Sequence, residues 1–289
     1  MDFEDQVKTL LMSQGFGAPE HIERLGGLTN KSFRAYDSSY DVVVRFPGDG
    51  TEELVNRADE KIINEEASRI GVDTKLYYFD DETGCKIMAS VPHAETMHAD
   101  TARNPENIEL IGTLLAKLHA QAQPVSVIFD PIQKVADYEK LIAADGGKLW
   151  EDYEQTKASV FAALSKLPEQ PRAFCHCDPL CENFVKDVQS SRMYLVDWEY
   201  AGMCDPLWDV ADVAIEAGYS DEDIIALARA YFGRDPEAHE LKRIYANIVL
   251  IDFLWSLWGE QRAAYDETLK GYGDARFARA KENLAKLTL

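Results

Sequence analysis

Residues 176–197 read HCDPLCENFVKDVQSSRMYLVD, and the spacing of the polar residues within this run organises everything around it. His176 is followed two residues on by Asp178, five beyond that by Asn183, and after an apolar stretch by Asp197 at the end of an expected strand. Taken singly, each Asp or Asn reads as a turn former. Taken together, as HxDxxxxN and then VD, they supply what phosphoryl transfer to a hydroxyl requires. A carboxylate must orient and deprotonate the attacking group, and oxygen ligands must hold the magnesium that neutralises a triphosphate. Short extended runs around Phe174, at 184–185 and at 193–196 bracket these polar loops.

Toward the N-terminus the chain is rich in strands. Gly26, Gly27, Leu28, Thr29 and Asn30 form a turn-like segment, and residues 32–36 and 41–46 read as a hairpin after it. The pattern turns helical over 52–70, with Leu54, Ala58, Ile62 and Ile63 expected to face inward and Gly71 as the stop. Strands at 75–79 and 85–91 follow, and Pro92 ends the run. Beyond it the chain is mostly helical: Ile111, Leu114, Leu115 and Leu118 stand at the i, i+3, i+4, i+7 spacing of one buried face. The expected fold is α+β, with a small β-rich lobe carrying one main helix over 1–91 and a larger, mostly helical lobe over 92–289. With no repeat and no Gly/Ser linker, the two lobes are expected to share a tight hinge at 88–92, an arrangement that suits a cleft enzyme.

Composition narrows the partners. Thirty basic against fifty-one acidic residues give a net charge of −21, which repels nucleic acid and anionic membranes and modestly favours a cationic ligand. The chain starts Met1, Asp2, Phe3, Glu4 without a basic-then-apolar segment, and its greasiest run, 248–258, is interrupted by Asp252 and Ser256. That run falls short of the roughly 18 to 20 apolar residues of a membrane span, so the expectation is a cytoplasmic protein. Five cysteines, an odd number, point to free thiols. Cys175, Cys177 and Cys181 flank His176, but without paired CxxC knuckles they read as small buried side chains rather than a zinc site.

The segments GGLTNKSF (26–33), VVVRFPGDGTEELVNRADEK (42–61), HCDPLCENF (176–184), LVDWEYAGMCDPLWDVA (195–211) and LWSLW (254–258) occur in the order found in the choline kinases and aminoglycoside phosphotransferases, distant relatives of protein kinases. Over nearly its whole length the chain resembles that family, and the bacterial choline kinases most closely. The resemblance implies a protein-kinase-like two-lobe fold. It makes Asp178 the catalytic base, Asn183 and Asp197 the ligands of Mg2+, and His176 an internal brace, with Asp209 anchoring the catalytic loop. Gly26 to Asn30, with Gly27, Thr29 and Asn30 foremost, would cover the phosphates of ATP, where absent side chains let backbone amides approach. Arg45 would stand where protein kinases keep a phosphate-binding lysine, paired with Glu60 or, in reserve, Glu65. Adenine would lie against the backbone from Met88 to Val91. Cys177 departs from the family pattern, since eukaryotic relatives often place Asn there.

Trp255 and Trp258, three residues apart on an expected helix, are separated by about 300° of rotation and so lie near one face. On pattern alone two such indoles are core packing. The resemblance instead makes them, with Tyr200, the walls around a quaternary ammonium, with Glu216 as the acidic partner and Tyr265 as a further ring. The implied reaction is ATP-dependent phosphorylation of the hydroxyl of choline, giving phosphocholine and ADP. Rival readings are an ethanolamine, thiamine or aminoglycoside kinase of the same fold, or a non-catalytic relative that only binds. A primary ammonium wants hydrogen-bond acceptors, so a cage richer in carboxylates than in rings would favour ethanolamine.

Overall fold

A computed structural model describes residues 2–26, 30–48, 56–269 and 271–287 of the chain. Helix α1 (Phe3–Ser13) opens it, capped by Asp2, whose side chain accepts from the Asp5 amide at 2.9 Å. Strands β1 (His21–Arg24), β2 (Lys31–Tyr36) and β3 (Asp41–Phe46) follow, then helix α2 (Arg57–Arg69) and strands β4 (Leu76–Phe79) and β5 (Lys86–Ala89). The five strands form one antiparallel sheet in the order β1-β2-β3-β5-β4. Alternation along β3 sends Val42, Val44 and Phe46 to one face, where they pack with Phe33, Ala35 and Ile87 against Val7 and Leu11 of α1. Arg45 points to the other face, under α2. The sequence reading gave this unit one main helix; α1 is a second, with Phe3, Val7, Leu10 and Leu11 at i, i+4, i+7 and i+8 packed on the sheet.

Helix α2 departs from expectation in start and in phase. Asn56 has extended backbone and caps the helix by accepting from the amides of Ala58 (3.0 Å) and Asp59 (3.4 Å), so a continuous helix from residue 52 is excluded; Leu54 lies outside the described residues. Ala58 and Ile62 are exposed, and the buried face is Arg57, Glu60, Ile63, Asn64 and Ala67. That face is polar because its partners on the sheet are polar. Glu60 meets Arg45, and Asn64 accepts from Lys86, the residue beside Arg45 on β5, at 2.7 Å.

Past Pro92 come β6 (Ala94–Thr96), the short α3 (Ala99–Ala102), and α4 (Pro105–Gln121), which starts on proline at its first turn and buries Ile108, Ile111, Leu114, Leu115 and Leu118. Helices α5 (Pro131–Ala144) and α6 (Tyr153–Leu164) precede β7 (Ala173–Cys175), β8 (Phe184–Asp187), β9 (Arg192–Leu195) and β10 (Gly202–Cys204). β6, β8 and β9 form one small sheet, and β7 and β10 another. The chain ends in α7 (Pro206–Glu216), α8 (Asp221–Phe232), α9 (Ala238–Ala263) and α10 (Tyr272–Leu287). A small antiparallel sheet unit with a larger helical portion is thus the architecture. Helix α9 is apolar around nearly its whole circumference from Ile244 to Leu257 because it is the axis of the helical core. It meets α10 at backbone distance: a Cβ on Gly259 would sit 2.9 Å from the Gly273 nitrogen. This close crossing brings Tyr272 and Arg276 of α10 beside the tryptophans of α9. No helix among the described residues is long and apolar enough to cross a membrane.

Candidate active site

β7 delivers the chain into the loop that carries His176, Asp178 and Asn183. The loop is clamped from beneath by Asp209, fully buried near the start of α7, whose oxygens accept from the amides of His176 (2.7 Å) and Cys177 (2.8 Å). Cys177 has φ +68°, a left-handed turn unusual for a side-chain-bearing residue, and those two bonds hold it there. His119 donates to the same aspartate at 3.0 Å and receives the Tyr231 hydroxyl at 2.9 Å. From the opposite side His176 Nε2 donates to Val196 O at 2.9 Å, and burial keeps this imidazole neutral by lowering its pKa. Asn183 closes the loop, its Nδ2 donating to Asp178 O at 3.0 Å while its carbonyl accepts from the Val196 amide at 2.9 Å. Asp178, Asn183 and the residue before Asp197 therefore belong to one hydrogen-bonded unit.

Across from this loop lies a charge network centred on Arg45. Its guanidinium pairs with Glu60 and with Asp197 (3.2 Å) and Glu199 (3.4 Å). Arg57 adds contacts to Glu60 (2.7 Å) and Glu199 (3.8 Å). Asn30 donates to Asp197 Oδ1 at 3.2 Å and accepts from the Gly48 amide at 3.3 Å. Asp197 itself has φ +70°. The side chains of Arg45 and Glu60 are 5% and 1% exposed and that of Asp197 is 39% exposed, so the buried pair acts as a mount and Asp197 presents the open carboxylate. Two arginines thus face three carboxylates, Glu60, Asp197 and Glu199, and the buried Lys86 acts on Glu60 and Asp197 from β5. Burial and the neighbouring Asp197 both push the Glu199 pKa up. A hard divalent cation suits this donor set. The Asp197 carboxylate and the Asn183 Oδ1, left over once Nδ2 has bonded Asp178 O, are oxygen ligands of the kind Mg2+ takes.

The Asp178 carboxyl is pushed up to about 7, first by burial and then by the charges of Asp197 and Glu216, with Arg276 pulling the other way. A base must be ionised to accept a proton. If Asp178 is that base, kcat/KM for the acceptor alcohol should rise with pH through a midpoint near 7 and level off above it, measured at saturating ATP. A flat profile from pH 5.5 to 8.5 would remove Asp178 from the role.

Beyond Asp178 a row of rings lines the helical side. Tyr200 meets Trp255 edge to face (5.8 Å, 77°), Trp255 meets Trp258 (6.4 Å, 88°), and Trp258 meets Tyr272 (5.6 Å, 73°). Glu216 is tied to Arg276 by a very short ion pair, and Arg276 also holds Asp252 at 3.0 Å. Tyr265 takes no part in the row: it is 69% exposed and donates to Asp145 at 3.0 Å, so the approximate placement read from sequence is corrected, and Tyr272 stands there instead.

A family model for choline/ethanolamine kinases matches residues 22–239. The chain belongs to the choline/ethanolamine kinase family. Its fold superposes on a choline/ethanolamine kinase family protein from Mesorhizobium loti with a TM-score of 0.85, at 33% identity over 99% of each chain. Choline kinase LicA from Streptococcus pneumoniae gives a TM-score of 0.80 at 29% identity, covering 98% of this chain and 99% of that one. A structure of LicA in complex with AMP gives 0.79 at 29% identity over 99% of both.

Within this kinase the structure gathers Asp178, Asn183, Asp197, Asn30, Arg45 and Glu60 into one region and leaves Glu65 exposed on α2. Tyr200, Trp255 and Trp258 share the ring row. Met88 and Val91 are buried at the end of β5 and just past it, while Gly27 and Thr29 lie outside the described residues. Sequence reasoning missed Arg57, Glu199, Tyr272 and Arg276. Glu199 stands in DWEY between two residues that were singled out, so proximity to the motif was a usable signal. Nothing local marks Tyr272 and Arg276, which reach the site only through the α9–α10 crossing.

Proposed function

We propose that this kinase transfers the γ-phosphoryl group of ATP to the hydroxyl of choline, giving phosphocholine and ADP. The observation that carries the choice of acceptor is the row Tyr200, Trp255, Trp258, Tyr272, whose first ring lies within electrostatic reach of Asp178. A trimethylammonium group donates no strong hydrogen bond and is held by ring faces, each contributing roughly 0.5 to 2 kcal/mol according to desolvation. Glu216, committed to Arg276, offers little to the three donors of a primary ammonium, which favours choline over ethanolamine. The likeness to choline kinase LicA, and the AMP complex of LicA, support the same pairing of substrates.

In this reading residues 1–91 hold the nucleotide and 92–289 the acceptor. Adenine lies against the backbone near Met88 to Val91, and the segment from Gly27 through Thr29 to Asn30 lies over the phosphates, with Arg45 braced by Glu60 beneath them. Asp178 orients the choline hydroxyl and takes its proton. Asn183 and Asp197 would hold Mg2+, which when bound neutralises charge on the triphosphate. The chain's own contribution is positioning and charge compensation, since the transferred group passes through a loose transition state. A cytoplasmic location, where ATP is abundant, fits this reading.

A coupled ADP-release assay with choline, ethanolamine and an aminoglycoside panel at matched concentrations tests the assignment; choline should give the highest kcat/KM, and preference for another acceptor overturns it. Trp255→Ala should raise the KM for choline by about tenfold or more while changing that for ATP by less than twofold. Equal shifts for both substrates would return Trp255 to core packing.

A further inference from the structure

Helix α7 and its cap carry four acidic residues, Asp205, Asp209, Asp212 and Glu216, at i, i+4, i+7 and i+11, so their side chains follow one stripe of the helix. Three of the four have protein partners. Asp205 accepts from the Leu207 amide (2.9 Å), Arg243 (2.7 Å) and Asn247 (3.2 Å). Asp209 holds the catalytic loop and His119, and Glu216 pairs with Arg276. Asp212, between the last two, is fully buried, and neither of its oxygens has a hydrogen-bond partner among the described residues. Native proteins pair nearly all such groups, so an unpaired buried carboxyl beside a built site calls for a function.

Its surroundings suggest which. Asp212 is within electrostatic reach of Asp178, Glu216 and Arg276, and of Tyr272 at the end of the ring row. Among the described residues Arg276, the cation that acts on Asp212, is already matched: with Arg279 it faces Glu216 and Asp252, a balance of 2 − 2 = 0. Asp212 is left over. Burial first, then Glu216 and Asp178, favour its neutral form until a positive charge comes near.

We propose that Asp212, one turn of α7 before Glu216, is the specificity-determining residue that makes the ring cage demand a cationic alcohol, acting as a positioning charge rather than by contact. The assignment moves this task away from Glu216, whose charge Arg276 cancels. A side chain sealed from solvent cannot hydrogen-bond the ligand, but its field reaches a quaternary ammonium, which needs charge and offers no donor. The inference rests on the choline reading of the cage.

The test compares wild type with Asp212→Asn on choline and on its uncharged carbon isostere 3,3-dimethyl-1-butanol, the latter as substrate or as inhibitor competitive with choline. The expected result is a rise of about tenfold or more in the KM for choline, with the isostere's KM or Ki and the KM for ATP within twofold of wild type. The melting temperature without ligand should change little, because a carboxamide of the same shape replaces a carboxyl that burial already keeps neutral. An unchanged ratio between choline and isostere overturns the proposal. So does a fall in melting temperature, or failure to fold, with both ligands losing alike, since Asp212 would then serve the fold. Should the wild-type panel show a different acceptor, the choline reading falls by itself, and the same charged-against-neutral comparison on the true acceptor decides Asp212.

Discussion

Asp178→Asn should lower kcat by about 10²- to 10⁴-fold, the range expected when a positioned general base is removed, while ATP binding measured by calorimetry changes little. Asparagine keeps the shape and can still accept a hydrogen bond from the alcohol, so what is lost is proton acceptance. The same substitution should not cost stability. The folded-state pKa of Asp178, raised to about 7 chiefly by burial, lies above its ordinary value near 4, so between these pH values the folded chain binds more protons than the unfolded one. The stability linked to this group is fully present below the lower value and is lost as pH rises through about 7. At pH 8 the asparagine variant, with nothing to ionise, should melt at the same temperature as wild type or higher. Loss of activity without loss of stability is the signature of a residue kept for chemistry. A variant that turns over at more than a tenth of the wild-type rate would require another base.

The second large effect is expected at Arg45. This guanidinium is almost wholly buried and holds Glu60, Asp197 and Glu199 together, so Arg45→Ala leaves Asp197 without an ion pair among the described residues and Glu60 and Glu199 with Arg57. Breaking a buried pair from one side costs about 3 to 5 kcal/mol, because the orphaned charge remains desolvated. Urea denaturation should show a loss of that order, and kcat/KM for ATP should fall by 100-fold or more as Asp197 loses its mount. Arg45→Lys should recover part of the stability and less of the activity. A point charge meets one carboxylate well, whereas the planar fork meets several at once. Near-normal ATP kinetics in the alanine variant would place the nucleotide phosphates elsewhere.

How much of this was legible beforehand differs between elements for physical reasons. The hairpin of β2 and β3, the apolar face of α4 and the strands around the HxDxxxxN loop were readable because each announces itself by alternation or by a 3.6-residue period in its own few residues. Helix α2 was misread for the same reason: the period assumes that the buried face is apolar, and here that face carries Arg57, Glu60 and Asn64 to meet Arg45 and Lys86. Tyr265 is offered as a further ring on approximate position along the chain alone, and Tyr272, whose ring meets Trp258, has no local signal to name it.

By itself the sequence determined the family and the order along the chain of the motifs that carry it, because short polar motifs survive as local spacing. Only the tertiary structure decided which charges cancel and which are left over: Glu60 rather than Glu65 beside Arg45, Glu216 held by Arg276, and Asp212 held by nothing among the described residues. Compensation of charge depends on contacts such as that of Arg276 with Glu216, 60 residues apart in the chain, and on a backbone crossing at Gly259 and Gly273 that no local pattern encodes.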